Sequence, residues 1–344
     1  MPCHETPARL DFVLAALAKR PVGTLCPPSV PNASHFDLIA RIHTPQYLAF
    51  LAQAWGDWLA IDPANAECDI LPSVWPGKSL RRDVMPANFS ARVGHFAFDA
   101  GSPISEGTWQ AALAGAACAI DAARAVMERN LGSELGAKKE SNVAVALTRP
   151  PGHHAGADFY GGYCFLNNSA LAAQALREAG AARVAMIDVD YHHGNGTQSI
   201  FYARGDVFTA SIHGDPHTEY PFYLGYADET GEGAGAGANL NLPLPRGTGF
   251  AAWLLALDTA IAAARAFSAE ALVVPLGVDT YEGDPISSFK LKSVDFYEIG
   301  RRLAILNLPT VFVLEGGYAV ADVGENVVNV LQGFEEQKQH TKLA

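Results

Sequence analysis

The chain has 344 residues, a hydrophobic composition of 49% and a formal charge of −12. That length admits two domains or one large α/β domain, and the charge argues against a nucleic-acid partner while remaining compatible with small cationic ones. No apolar stretch approaches the roughly 18 residues of a spanning helix, and the opening Met1-Pro-Cys-His-Glu-Thr-Pro7 has no signal pattern, so a cytoplasmic protein with no membrane partner is expected.

In chain order, Pro45 to Trp58 has helical spacing, and Asp69 to Gly107 then interrupts the rhythm. This insertion carries Trp75, Arg81, Arg82, Phe89, Phe96 and Phe98, too many aromatics for a solvated loop, so it should pack against something. Trp109 to Glu128 predicts a helix, and the polar Asn130 to Ser141 a surface loop. Apolar, largely β-branched runs predict buried parallel strands at Asn142–Thr148, Arg183–Asp190, Val207–His213, Ala271–Val278 and Thr310–Glu315. Helical patterns fill the intervals at Asn168–Ala179, Gly196–Arg204, Phe250–Phe267 and Val294–Asn307, and Glu335 to Ala344 reads as a frayed tail. The glycine series Gly231 to Gly237 leads into Leu240-Asn-Leu-Pro-Leu244 rather than a helix, which predicts a tight loop beside the site and not a nucleotide fingerprint. The alternation implies one α/β domain over residues 1–344, a parallel sheet covered by helices on both faces. Five widely spaced cysteines without Cys-x-x-Cys make a disulfide framework or zinc knuckle unexpected.

Chemistry gathers at the ends of the predicted strands. Asp188-Val-Asp-Tyr-His-His-Gly-Asn195 puts Asp190 and His192 two apart at the end of an apolar run, a spacing that on a strand turns both side chains to one face. Asp279, just past another apolar run, is the natural third ligand for a divalent ion with an open position. Arg149-Pro-Pro-Gly-His-His-Ala155 sets tandem histidines nearby, completing the apparatus of a metal-dependent amide hydrolase. Every such motif falls at or past a strand's carboxyl end, where open α/β sheets place their ligand crevice.

These segments, with Gly161-Gly-Tyr-Cys-Phe-Leu-Asn-Asn168, Ser211-Ile-His-Gly-Asp-Pro216 and Glu315-Gly-Gly-Tyr318, resemble the histone deacetylase side of the arginase/deacetylase superfamily. The similarity is greatest to bacterial acetylpolyamine amidohydrolases and runs from about Pro7 to Phe334. It implies that His153 pairs with Asp188 and His154 with Asn195, leaving His154 the freer ring to act as base and acid. It further implies an oxyanion donor in Tyr318, substrate contacts at Gly162, Tyr163 and Tyr220, and a structural potassium ion held by Ser211 and Ile212 with the backbone around Asp188, Asp190 and His192. One Zn²⁺ per subunit is the expected cofactor, although an Asp-His-Asp set also suits Fe²⁺, Co²⁺ or Mn²⁺. In the resembling amidohydrolases an insertion like Asp69–Gly107 forms a homodimer contact that narrows the entrance; the other possibility is a lid on its own subunit. The chain begins almost at the family's Pro-x-Arg segment (Glu5-Thr-Pro-Ala-Arg9), so a preceding strand and loop of about two dozen residues, expected of a full-length relative, is missing.

The resemblance implies a deacetylase of small cationic acetylated polyamines, with an acetyl-lysine protein deacetylase or another acyl-amide hydrolase as the alternative on the same site. A silent binding protein is disfavoured because every proposed catalytic element is present. An arginase-like two-metal ureohydrolase would need further carboxylate ligands, whereas tandem histidines and a tyrosine stand here instead. His193 is expected to face away from the metal ligands.

Overall fold

The computed structural model describes residues 3–131 and 142–343. Its centre is a six-stranded, wholly parallel sheet of β1 (Val143–Ala146), β2 (Val184–Asp188), β3 (Val207–Gly214), β4 (Asn239–Leu244), β5 (Ala271–Leu276) and β6 (Thr310–Leu314), in the spatial order β1-β6-β5-β2-β3-β4. The helices, among the described residues, are α1 (Ala8–Lys19), α2 (Ala33–Ile42), α3 (Pro45–Ile61), α4 (Phe89–Phe96), α5 (Thr108–Leu131), α6 (Asn168–Glu178), α7 (Asn195–Phe201), α8 (Phe250–Ala266), α9 (Asp295–Ala304) and α10 (Val320–Leu343).

Strand alternation sorts the core into two layers. Val184, Met186, Val311 and Val313 face a cluster with residues of α2, α3, α5 and α6. Their neighbours Ala185, Ile187, Phe312 and Leu314 face the opposite cluster, with residues of α1, α8, α9 and α10. Both faces of the sheet are therefore covered, as a parallel sheet requires.

The topology also locates the crevice. After β2 the chain moves outward to β3 and β4, whereas after β5 it moves the other way to β6, so the sheet's direction of winding reverses between β2 and β5. Regular pairing of these two strands stops at Met186 and Val273. Beyond it Val189 still donates to the Pro275 carbonyl at 3.2 Å, so the edge of β5 on which Pro275 lacks an N–H faces β2. The ladder is weakened where the two chains must part around a site.

Several elements differ from the sequence reading. The apolar segment after the glycine series is β4, an edge strand whose Pro243 is tolerated there. The glycine loop itself packs against Tyr202, with Glu232 N donating to its carbonyl at 2.9 Å, and so lies near the amino end of β3 rather than beside the site. The tail is not frayed: α10 continues to Leu343, and Lys338 is buried with its ammonium at the Asn142 side chain and the Leu308 carbonyl. Helices α1, α2, α4 and α10 were not foreseen, and the predicted surface loop Asn130–Ser141 lies, from residue 132 to 141, outside the described residues. No described helix is long and apolar enough to cross a membrane.

Candidate active site

Asp190, His192 and Asp279 come together just past β2 and β5, all buried. His192 Nδ1 lies 2.9 Å from Asp279 Oδ2 and 3.3 Å from Asp190 Oδ1. The reason for their convergence differs from the expected strand alternation, because β2 ends at Asp188 and both Asp190 and His192 lie in a bend beyond it. There, Asp190 N donates to Asp188 Oδ1 at 3.1 Å and His192 N to Asp190 Oδ1 at 2.8 Å, two successive aspartate-stabilised turns. The remaining carboxylate oxygens are oriented by Gly316 N on Asp190 (2.8 Å) and Tyr191 N on Asp279 (2.7 Å).

The trio fits a divalent cation. Two oxygen donors and one imidazole suit a borderline metal, and candidate ligand atoms from all three residues lie within 4.8 Å of one another. Glycines make the space: a Cβ at Gly277 would stand 2.0 Å from Asp190 Oδ2, and one at Gly316 would stand 2.5 Å from the same oxygen and 2.7 Å from Asp279 Oδ2. Burial, with Asp190 adjacent, pushes the Asp279 carboxyl up to about 8. Burial opposes charge on His192 as well, yet the hydrogen bonds that it donates to the Asp190 and Asp279 carboxylates raise it to about 10. Carboxyl groups buried and packed this tightly favour a positive charge between them. A second buried group, His153, Cys164 and Glu315, fits less well because its carboxylate is already engaged. Glu315 accepts from the backbone amides of Gly152 and His153 and from Ser169 Oγ, and so anchors the tandem-histidine loop.

The tandem histidines, past β1, have the two partners expected of them. His153 Nδ1 lies 3.0 Å from Asp188 Oδ2, and His154 Nδ1 lies 2.6 Å from Asn195 Oδ1. Asn195 Nδ2 reaches the His154 carbonyl at 3.4 Å, which orients the amide oxygen toward the ring. Burial disfavours the imidazolium of both residues. At His153 the Asp190 and Asp188 carboxylates override it and raise the group to about 10. At His154, burial and the neighbouring His153 and His192 act together and hold it well below its ordinary value. The two rings are thus pushed in opposite directions, His153 toward the imidazolium and His154 toward the neutral form, with centroids 4.0 Å apart.

Tyr318 follows β6 after Gly317, whose φ of +129° and 2.6 Å Cβ distance to Val278 Cγ2 admit only glycine. Asp284 accepts from Tyr318 N at 2.7 Å, while Arg9 Nε donates to the Gly317 carbonyl at 2.7 Å and its guanidinium lies 4.9 Å from the Tyr318 ring. Burial raises the phenol well above its usual value despite Arg9, so it remains a proton donor at neutral pH. Tyr163 packs edge-on against Tyr318 at 5.7 Å, and Tyr220 against His154 at 5.1 Å and His192 at 6.1 Å. Gly162 abuts His154, since a Cβ there would come 2.2 Å from its Cδ2.

Of the residues assigned to a monovalent cation, Asp188 and Ser211 line a small cavity with Gly194, Thr209 and Asn241. Ile212 is the next residue of β3, and for Asp190 and His192, whose side chains belong to the Asp–His–Asp trio, the expectation concerns the backbone. His193 turns away, with Nε2 between Gln198 and Asn241 at 3.0 and 3.1 Å. The sequence reading gave no role to Arg9, Asp284, Asp99 or Ser102. Arg9 falls inside the Glu5-to-Arg9 segment and Asp284 five residues past Asp279, but Asp99 and Ser102 sit in the insertion, where no local pattern marks them.

A parallel α/β sheet with tandem histidines, a buried Asp–His–Asp trio and a tyrosine beyond its carboxyl edge defines the class, an amide hydrolase. The chain belongs to the histone deacetylase family, whose domain matches residues 3–334. It is 49% identical over 335 residues to acetylpolyamine amidohydrolase 1 of Pseudomonas aeruginosa, covering 97% of this chain and 92% of that protein. It is 44% identical over 334 residues to the acetylpolyamine amidohydrolase of Mycoplana ramosa, with the same coverage of 97% and 92%. The crystal structure of acetylpolyamine aminohydrolase from Burkholderia pseudomallei superposes with a TM-score of 0.88 at 37% identity, over 98% of this chain and 92% of that one.

Proposed function

We propose that the protein is a zinc-dependent deacetylase of acetylated polyamines, releasing acetate and the free amine. The observation that carries the reading is the unequal pairing of the tandem histidines beside Asp190, His192 and Asp279. The ion held by that trio would supply the positive charge that polarises the acetamide carbonyl and acidifies water. His154 Nδ1–H is committed to Asn195, which leaves Nε2 to take a proton from the attacking water. The same nitrogen then returns it to the departing amine as the C–N bond breaks. His153, held as an imidazolium by Asp188, keeps a positive charge beside the developing anion and opposes premature protonation of His154. Tyr318 donates its phenolic hydrogen bond to the oxygen that becomes negative. A structural potassium ion beside Asp188 and Ser211 would brace the turn carrying the ligands.

The substrate follows from resemblance and fit together. A monoacetylated polyamine offers a neutral acetamide to the trio, a methylene chain to Tyr163 and Tyr220, and cationic amines to a protein with net charge −12. The names of the relatives agree with this choice. An acetyl-lysine peptide shares the acetamide but adds a backbone that a narrow entrance resists, lowering kcat/KM rather than changing the chemistry. Acetylputrescine, acetylcadaverine or acetylspermidine should therefore show higher kcat/KM than acetyl-lysine peptides, and added salt should erode that advantage by screening the amine attraction. A panel at fixed ionic strength in which peptides outperform every acetylpolyamine would transfer the assignment to a protein deacetylase.

The insertion supports a homodimer that guards this entrance. Its second half is buried on its own subunit, with Phe89 stacked on Trp58 at 5.6 Å and Phe96 against Phe50 at 4.7 Å. Its first half leaves Leu71, Val74, Trp75, Leu80 and Val84 exposed, Trp75 by 44% and Leu80 by 64%. Burying that stretch against a second copy would need on the order of 1,000 Å² of interface in total. Light scattering at micromolar concentration should give the dimer mass; a monomer would overturn the assembly.

A further inference from the structure

The end of the insertion reaches both aromatic walls of the cleft. Asp99 Oδ2 accepts from the Gly162 amide at 2.8 Å and from the Tyr220 phenol at 2.6 Å. Its Oδ1 accepts from Gly101 N at 2.9 Å and from Ser102 Oγ at 3.4 Å. Ser102 Oγ in turn accepts from Tyr163 N at 2.7 Å, and the preceding Phe98 stacks on the Tyr220 ring at 5.9 Å. Tyr163 stands beside Tyr318, while Tyr220 stands beside His154 and His192. One carboxylate thus gathers both walls, one through a phenol and the other through backbone.

The backbone it holds would not settle there unaided. Gly162 and Tyr163 have φ of +55° and +67°, and a tyrosine in the left-handed region persists only where its surroundings impose it. Movement toward the catalytic base is blocked as well, since even a methyl group on Gly162 would strike His154. A carboxylate is the group this position needs, because both its oxygens receive donors. An amide would set an NH2 against one of them.

We infer that Asp99 is a positioning residue that sets the width of the substrate channel by tying Tyr220 and the Gly162–Tyr163 turn to one carboxylate, favouring slender unbranched acyl-amines. The inference rests on the proposed hydrolysis for its substrate, so its test reads binding as well as turnover. The probes are a straight-chain alkyl hydroxamate and an aryl-branched hydroxamate, titrated by calorimetry into the metal-loaded protein. Asp99→Asn should weaken the straight-chain ligand about tenfold and the branched one less than about twofold. Tyr220→Phe, which keeps the ring and removes only the hydroxyl, should shift the same ratio by about threefold. The double variant should shift it no further than Asp99→Asn alone, because both changes cut one link. With acetylputrescine, the Asp99→Asn loss should fall more on KM than on kcat. If Asp99→Asn does not fold, the Tyr220→Phe ratio decides. Equal weakening of both ligands, or a ratio unchanged in Tyr220→Phe, overturns the inference. Failure of the parent protein to hydrolyse acetylputrescine would refute the proposed function and leave the ligand ratio to judge Asp99.

Discussion

Replacing Asp190 or Asp279 by alanine is expected to strip the protein of its divalent metal and bring turnover to background. Each residue supplies one of three converging donors, and two donors do not hold an ion against water. The substitution also orphans the amide that the lost carboxylate received, Gly316 N for Asp190 and Tyr191 N for Asp279. It leaves the remaining buried charges with one partner fewer, a change that typically costs about 3–5 kcal/mol of stability. Alanine therefore mixes two effects. Asp279→Asn separates them, because the amide oxygen can still accept from Tyr191 N while the anionic charge is gone. Elemental analysis should find that variant folded and depleted of metal; an alanine variant with full metal and full activity would mean the ion is held elsewhere.

Tyr318→Phe is expected to retain fold and metal while losing roughly two to three orders of magnitude in kcat, or about 2.7–4 kcal/mol of transition-state stabilisation. The substitution removes one hydroxyl and leaves the contacts that seat the ring, with Arg9 over its face and Tyr163 against its edge. Backbone anchoring through Asp284 is likewise untouched. In the proposed mechanism the phenol acts on the oxygen only as it becomes negative, so the loss should appear in kcat more than in KM. Turnover at the parent rate would require the oxyanion donor to be another group. His154→Ala should be severely impaired too, by a general acid–base factor of about 10²–10⁴.

The four central strands were readable because each is buried throughout and therefore written largely in apolar residues, and the edge strand β1, only partly buried, was readable from its run of Val and Ala. The edge strand β4 was not, since its burial is intermittent and Pro243 interrupts it. Helix α10 was not foreseen, and its last turns read as a tail because Glu335 to His340 look solvated, yet Lys338 is committed to partners on the loops before β1 and β6. At the site, pairings between motif residues such as His153 and Asp188 were legible because both ends lie in marked segments. What the sequence left silent was support supplied from far along the chain. Asp99 meets Tyr220 across 121 residues and Arg9 meets Gly317 across 308, and a hydrogen bond between such distant positions leaves no periodicity behind. Turns beyond β2, not the strand alternation that their spacing suggests, bring Asp190 and His192 together.

The most direct test of the account follows acetate release from acetylputrescine while metal is withdrawn and restored. Purified protein, assayed for bound metal at each stage of chelation, should lose activity in proportion to the ion removed from the Asp190–His192–Asp279 trio and regain it when Zn²⁺ is returned. Full activity after exhaustive chelation and verified metal removal would contradict it.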